Sequence, residues 1–271
     1  MLDFRASVLQ FRSTPDREGS LAHAAALVRE AARGGARLIA LPELFSWRGP
    51  QDEEPGAAEI IPGPTSDFAC DLAKELQIYL VAGSILERSD ESDRCHNTAL
   101  LLGPDGTLLA AYRKIHLFDV AVDRAVNVSE SHTRKPGNTA VCVETELGRI
   151  GLAVCYDLRF PELFRKLADN EAEIVVVPSA FTAPTGAAHW HTLVRARAIE
   201  NQCYVLAPNQ FGPTLQGYDN YGHSLIVDPW GRILAEGNET DEGVLSAELT
   251  AARLAEVRRA IPSLAHRKLA W

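Results

Sequence analysis

The chain is poor in several things, and each scarcity excludes a class of protein. Its apolar stretches are all broken by charge before the roughly 18 residues that a membrane span needs, so no span is expected. The opening "MLDFRASVLQF" lacks the basic region and long apolar run of a secretory leader. Cations are outnumbered: 27 Lys and Arg against 36 Asp and Glu leave a formal charge of −9. A phosphate-binding surface needs clustered Lys and Arg, so no nucleic-acid partner is expected. The one basic cluster, "VRRAIPSLAHRK", reads more economically as a solvated helix end. Cysteines number five (Cys70, Cys95, Cys142, Cys155, Cys203), an odd count without a C-x-x-C pair. That suits neither a disulfide framework nor a structural zinc site, so a reduced, cytoplasmic protein without metal or cofactor is expected.

What is present is enough apolar sequence for a large core: 46% of the 271 residues are hydrophobic and 23% charged. Helical and strand patterns alternate along the chain, which points to an α/β layered fold. A weak internal repeat sharpens this. "RLIALPELF" (37–45) resembles "EIVVVPSAF" (173–181), and "YLVAGS" (79–84) resembles "YVLAPN" (204–209). "TALLLGPDGTLLA" (98–110) resembles "SLIVDPWGRILA" (224–235), two strands about a Pro-x-Gly turn. Helical segments fill matching places: "SLAHAAALVREAARGG", with Ser20 as its expected cap, and "TSDFACDLAKELQ" in the first half, "PELFRKLADN" and "AAHWHTLVRARAIENQ" in the second. Each half is then strand, helix, strand, helix, strand and hairpin. Two such halves predict a four-layer α-β-β-α sandwich with pseudo-twofold symmetry, within one domain spanning 1–271.

The repeat aligns "RASVLQF" with "RIGLAVCYD" and puts Cys155 at the end of a strand, where sites form in α/β sheets. Free cysteine is also among the most buried residue types, so a core role competes. Glu43 emerges after Pro42 at another strand end; its repeat partner is Ser179, so symmetry requires no acid there. Lys114 follows the first hairpin and is ringed by Ile115, Leu117 and Phe118, which suggests a desolvated ammonium seeking a carboxylate or oxyanion. Glu130 lies in the loop "NVSESHTRKPG", where a solvated acid is the plain alternative. His116 is the minority candidate for a Cys–His pair. His189 and His191, two apart on a helix, face different ways and do not suit a shared metal.

Taken in order, "LPELF", "YRKIHLFD" and "GLAVCYDLRFPE" resemble the glutamate, lysine and cysteine motifs of the nitrilase superfamily of carbon–nitrogen hydrolases. "PSAFTAPTGAAHW", "RARAIENQCYV" and "YGHSLIVDPWG" are similar to its Nit branch of deaminated-glutathione amidases and ω-amidases. The resemblance runs from about residue 4 to the "AHRK" tail and implies the same α-β-β-α sandwich. It implies Cys155 as nucleophile, Glu43 as general base, Lys114 as oxyanion-stabilising cation, Glu130 as a positioning glutamate and the Tyr156 N–H as second oxyanion donor. The chemistry then runs through a thioester with release of ammonia from a small carboxylate-bearing amide. N-carbamoyl amino acid hydrolase, nitrilase and a non-catalytic binding module are the alternatives. Arg159 is a candidate for the substrate carboxylate, or a structural partner of Glu162. Phe181, Thr182 and His223 are candidate pocket lining. The resemblance also implies a homodimer or higher homo-oligomer, with residues from about 250 to 271 at the contact.

Overall fold

The structure is a computed structural model that describes residues 1–122 and 126–269. Its first half contributes β1 (Phe4–Gln10), α1 (Arg17–Arg33), β2 (Ala36–Ala40), α2 (Glu54–Ala57), α3 (Pro64–Leu76), β3 (Tyr79–Arg88), β4 (Cys95–Leu102) and β5 (Leu108–Arg113). A small hairpin follows, β6 (Asp119–Val122) and β7 (Val126–Ser129). The second half holds β8 (Val141–Thr145), β9 (Gly148–Leu152), α4 (Pro161–Asp169), β10 (Ile174–Val176), α5 (Ala183–Asn201) and β11 (Tyr204–Ala207). Then come the short hairpin β12 (Phe211–Pro213) and β13 (Asp219–Tyr221), β14 (Leu225–Val227), β15 (Ile233–Glu236), β16 (Gly243–Leu249) and α6 (Ala251–Ala260).

The repeat is realised strand for strand. One sheet runs β16-β1-β2-β3-β4-β5, and the other, taken from its opposite edge, β8-β9-β10-β11-β14-β15. In both, the first three strands of the repeat are parallel and the hairpin antiparallel. The two outermost antiparallel strands escaped the sequence reading. β8 reaches its place by a tight turn into β9, whereas β16 returns from the far end of the chain to pair with β1, Phe4 opposite Leu249.

Period-two alternation explains the layering. In β2 and the residue after it, Leu38 and Ala40 point into the core between the sheets, while Ile39 and Leu41 point outward under α1 and α3. The second sheet is covered by α4 and α5 through Leu163, Phe164, Leu167, Trp190, Val194 and Ala198. This makes the order helix, sheet, sheet, helix. Truncating a fully buried residue such as Leu38 to Ala costs about 2–5 kcal/mol. One cap differs from expectation: α1 begins at Arg17, and the Asp16 carboxylate accepts the Gly19 N–H. Ser20 lies inside the helix, buried, its hydroxyl accepting from the Thr14 N–H. Asp is as good a cap as Ser, and the earlier one wins by adding a turn.

Candidate active site

Sequence places each candidate side chain, Glu43, Lys114, Glu130 and Cys155, just past the C-terminal end of a strand. After β2 the chain turns through Pro42 and Glu43, and Leu44 adopts φ 53° with its N–H donating to Ser84 Oγ at 3.0 Å. Gly83 permits that turn, because a Cβ there would fall 1.9 Å from the Pro42 carbonyl oxygen. The Glu43 backbone is then tied to the second half: its N–H donates to the Ser179 carbonyl at 3.4 Å, and its carbonyl accepts from Gln210 Nε2 at 2.6 Å. After β9, Cys155 takes φ 48° at the head of a short 3-10 turn, Cys155–Arg159, and donates its N–H to the Pro178 carbonyl at 2.9 Å. A left-handed cysteine is strained, and the surrounding bonds must hold it there.

Asp157 is the main holder. Its fully buried carboxylate accepts from the Val154 N–H at 2.8 Å, the Tyr112 hydroxyl at 2.7 Å and the His116 N–H at 3.1 Å, with His116 Nδ1 at 2.7 Å. His116 is therefore engaged with Asp157 and stacked on Phe160, ring centroids 3.6 Å apart, so the Cys–His alternative is not built.

Lys114 is 1% exposed, and its Nζ lies 3.0 Å from Glu43 Oε1 and 2.9 Å from Glu130 Oε2. Burial alone would discharge this ammonium, but Glu130 and then Glu43 outweigh it and hold its pKa well above the usual lysine range. Glu43 also accepts from Asn97 Nδ2 at 2.7 Å and, through Oε2, from the Ala180 N–H at 2.9 Å. Glu130 is buried, not a solvated loop acid. It accepts the Phe118 N–H at 2.8 Å and pairs with Arg134, whose other nitrogens grip the buried Glu54 at 2.5 and 2.8 Å. Against the burial that would raise it, Arg134 and Lys114 draw the Glu130 pKa down to about 2. The Cys155 thiol, 8% exposed, goes the other way. Burial first and Glu43 second push its pKa well up, and Lys114 offsets them only in part. The group rests as a thiol beside charged partners.

Glu43, Glu130 and Cys155 line a cleft of about 600 Å³, open mouth included, walled by Leu44, Phe118, Tyr156, Phe181, Thr182 and Tyr218. Phe181 and Thr182, two of the candidate residues, lie on this wall. His223 is not: its Nδ1 lies 3.0 Å from Glu236 Oε1, the oxygen that His191 Nε2 approaches at 2.8 Å, and the ring stacks on Tyr221. The loop carrying it turns at φ 50° and faces β15 instead of the cleft. Arg159 has no ion pair with Glu162 or any other acid among the described residues. Its guanidinium lies 5.8 Å from the Tyr156 ring centroid and 5.2 Å from that of Phe181, with Nη1 3.2 Å from His189 Nδ1. His189 and His191 consequently serve different neighbours. Asp157, Asn97, Arg134 and Glu54 were missed; only Asp157 carried a signal, its place inside the cysteine motif.

A thiol, a carboxylate and a buried ammonium converging at strand ends of an α-β-β-α sandwich define a cysteine hydrolase. The sequence pattern described as "Carbon-nitrogen hydrolase" matches residues 5–259, and the chain belongs to that family. It is similar to omega-amidase NIT2-A of Xenopus laevis, 41% identical over 262 residues that cover 97% of this chain and 94% of that one. It is equally similar to deaminated glutathione amidase of Synechocystis sp., 41% identical over 270 residues covering 98% and 99%. Among solved structures, a mutant amidase of Nesterenkonia sp. AN1 superposes with a TM-score of 0.80 at 26% identity, covering 95% of this chain and 94% of that one. That structure carries the acetamide moiety of fluoroacetamide covalently added at its active site cysteine. The present chain is a carbon–nitrogen hydrolase of the amidase kind.

Proposed function

We propose that the protein hydrolyses a small carboxylate-bearing amide through a Cys155 thioester, of the type handled by the omega-amidases and deaminated glutathione amidases it resembles. The observation that carries this reading is the buried Lys114 ammonium held between Glu43 and Glu130, the two carboxylates that line one cleft with Cys155. Cys155 attacks the amide carbon as Glu43 takes the thiol proton; the raised thiol pKa makes this base necessary. The oxyanion is stabilised by Lys114 and by the Tyr156 N–H. Glu43 returns the proton to the leaving amine, which departs as ammonia from a primary amide or as a peptide amine from a substituted one. Water, deprotonated by Glu43, then cleaves the thioester and regenerates the thiol. Glu130 does no proton transfer: it fixes Lys114 and, through the Phe118 N–H, one wall of the cleft. Arg159, a cation without an acid partner among the described residues and beside two lining aromatics, receives the substrate's carboxylate.

Neither cofactor nor metal has a step in this scheme. Five free thiols fit a reducing cytoplasmic compartment, and no described helix is long and apolar enough to cross a membrane. Residues 1–271 act as one domain that pairs with a second copy. Within the expected contact segment, α6 packs on its own chain through Leu254 and Val257, while Ile261 and Leu269 are exposed and available; residues 270 and 271 lie outside the described residues. Light scattering on the purified protein tests the pairing, and a monomeric mass would refute it. The decisive assay offers α-ketoglutaramate and deaminated glutathione in parallel, following ammonia from the first and free dipeptide amine from the second. Product from wild type and none from Cys155→Ala is the expected result; equal rates from both proteins would refute the mechanism.

A further inference from the structure

The cleft contains a cation that the proposed chemistry leaves unused. Arg48 lines it five residues beyond Glu43, held by its backbone N–H donating to the Thr14 carbonyl at 3.1 Å. The other charges on the cleft wall and floor are committed: Glu43, Glu130 and Glu54 are bound by Lys114 and Arg134. Arg48 has no ion pair among the described residues, and its Nη1 is buried without a hydrogen-bond partner. Beside it, Gln216 donates Nε2 to the Gly49 carbonyl at 2.8 Å, which fixes the amide next to Arg48 in the chain. Its Oε1 is likewise buried and unpartnered. An unpaired buried donor and an unpaired buried acceptor each cost stability unless water or a ligand satisfies them. The acceptor calls for an N–H, and the guanidinium for a carboxylate.

We propose that Arg48 and Gln216 form a leaving-group subsite, which binds an amide N–H and a terminal carboxylate carried on the amine side of the scissile bond. The inference rests on the amidase reading and narrows it. A primary amide, whose leaving group is ammonia, offers nothing to this pair, whereas a peptide-like leaving group satisfies both members. With Arg159 receiving the carboxylate of the acyl part, the preferred substrate carries one carboxylate on each side of the bond that breaks.

The test compares deaminated glutathione with its twin ending in a carboxamide, and includes α-ketoglutaramate as a primary amide. Wild type should favour the free carboxylate over the twin by about 10- to 100-fold in kcat/KM, mainly through KM. Arg48→Gln should bring that ratio close to one, and Arg48→Lys should keep part of it. Because each ratio is taken within one protein preparation, incomplete folding of a variant cancels. An undiminished ratio in Arg48→Gln, or no discrimination by wild type, overturns the subsite. Turnover of α-ketoglutaramate with neither twin accepted overturns it too, while the amidase reading stands. Failure on all three substrates, with Cys155→Ala indistinguishable from wild type, sinks the amidase reading and the subsite with it.

Discussion

The two halves of this protein share one plan and divide one site. Cys155 belongs to the second half, where its counterpart in the first is Phe11, a fully buried apolar side chain. Glu43 and Lys114 belong to the first. The counterpart of Glu43 is Ser179, and the place matching Lys114 holds Glu239, an exposed acid 3.4 Å from His223. The mirrored positions could not make a second site, since they offer neither thiol nor cation. The repeat supplies the sheets and the strand ends, and the ends differ in the side chains they carry. The backbone bond from Glu43 to Ser179 crosses between the halves and that from Cys155 to Pro178 lies within the second, so the symmetric frame holds an asymmetric group of side chains.

Substitutions on the two sides should break this comparison unequally. The largest effect belongs to Cys155→Ala, which should lower amide turnover by about 10⁴-fold or more in a sensitive product assay, with the thermal midpoint little changed. Lys114→Met should cost about 10² or more in kcat and also about 3–5 kcal/mol of stability by denaturant titration, because the buried Glu43 loses its cation and Glu130 keeps only Arg134. Asp157→Asn replaces an acceptor that meets four donors, so about 2 kcal/mol should be lost and kcat should fall as the Cys155 turn relaxes.

Glu130 gives a pH test with a definite sign. Its folded pKa of about 2 lies below the unfolded value near 4.3, so its contribution is complete above about pH 5 and is lost as pH falls toward 2. Glu130→Gln should be less stable at pH 7, and its unfolding midpoint should drop less than that of wild type between pH 5 and pH 3. The smallest effect belongs to the mirrored position: Glu239→Ala should move stability by less than about 0.5 kcal/mol and leave turnover within twofold. A large loss there would mean that the second half carries function the symmetry argument denies it.

Legibility followed the range of the interactions. The sandwich could be read because alternation, caps and Pro-x-Gly turns are local, and because each segment appears twice. Cys155, Glu43 and Lys114 stood out because each polar residue interrupts an apolar context in a recognisable order, whereas Glu130, in a loop of turn formers, was singled out by the resemblance alone. What stayed hidden depends on distant partners. The Arg134–Glu54 pair closes a loop of 80 residues, and Asn97 reaches Glu43 from β4. His223 was misplaced for the same reason: a loop histidine beside a strand reads alike whether it faces a cleft or, as here, a glutamate on the next strand. Arg159 was given a helical neighbour by spacing, yet its contacts are two aromatic faces and His189.

The position of β16 has a consequence in time. During synthesis the first half emerges complete except for its outermost strand, which the ribosome makes more than two hundred residues after β1. Until Gly243–Leu249 appears, β1 presents an open, apolar edge that any extended segment can pair with. A nascent chain stalled before Gly243 should therefore be protease-sensitive throughout its first half and prone to associate. One stalled far enough beyond Leu249 for that strand to clear the ribosome should be protected. The last strand acts as a latch on the first, so that half becomes safe from unwanted pairing only when nearly the whole polypeptide has been made.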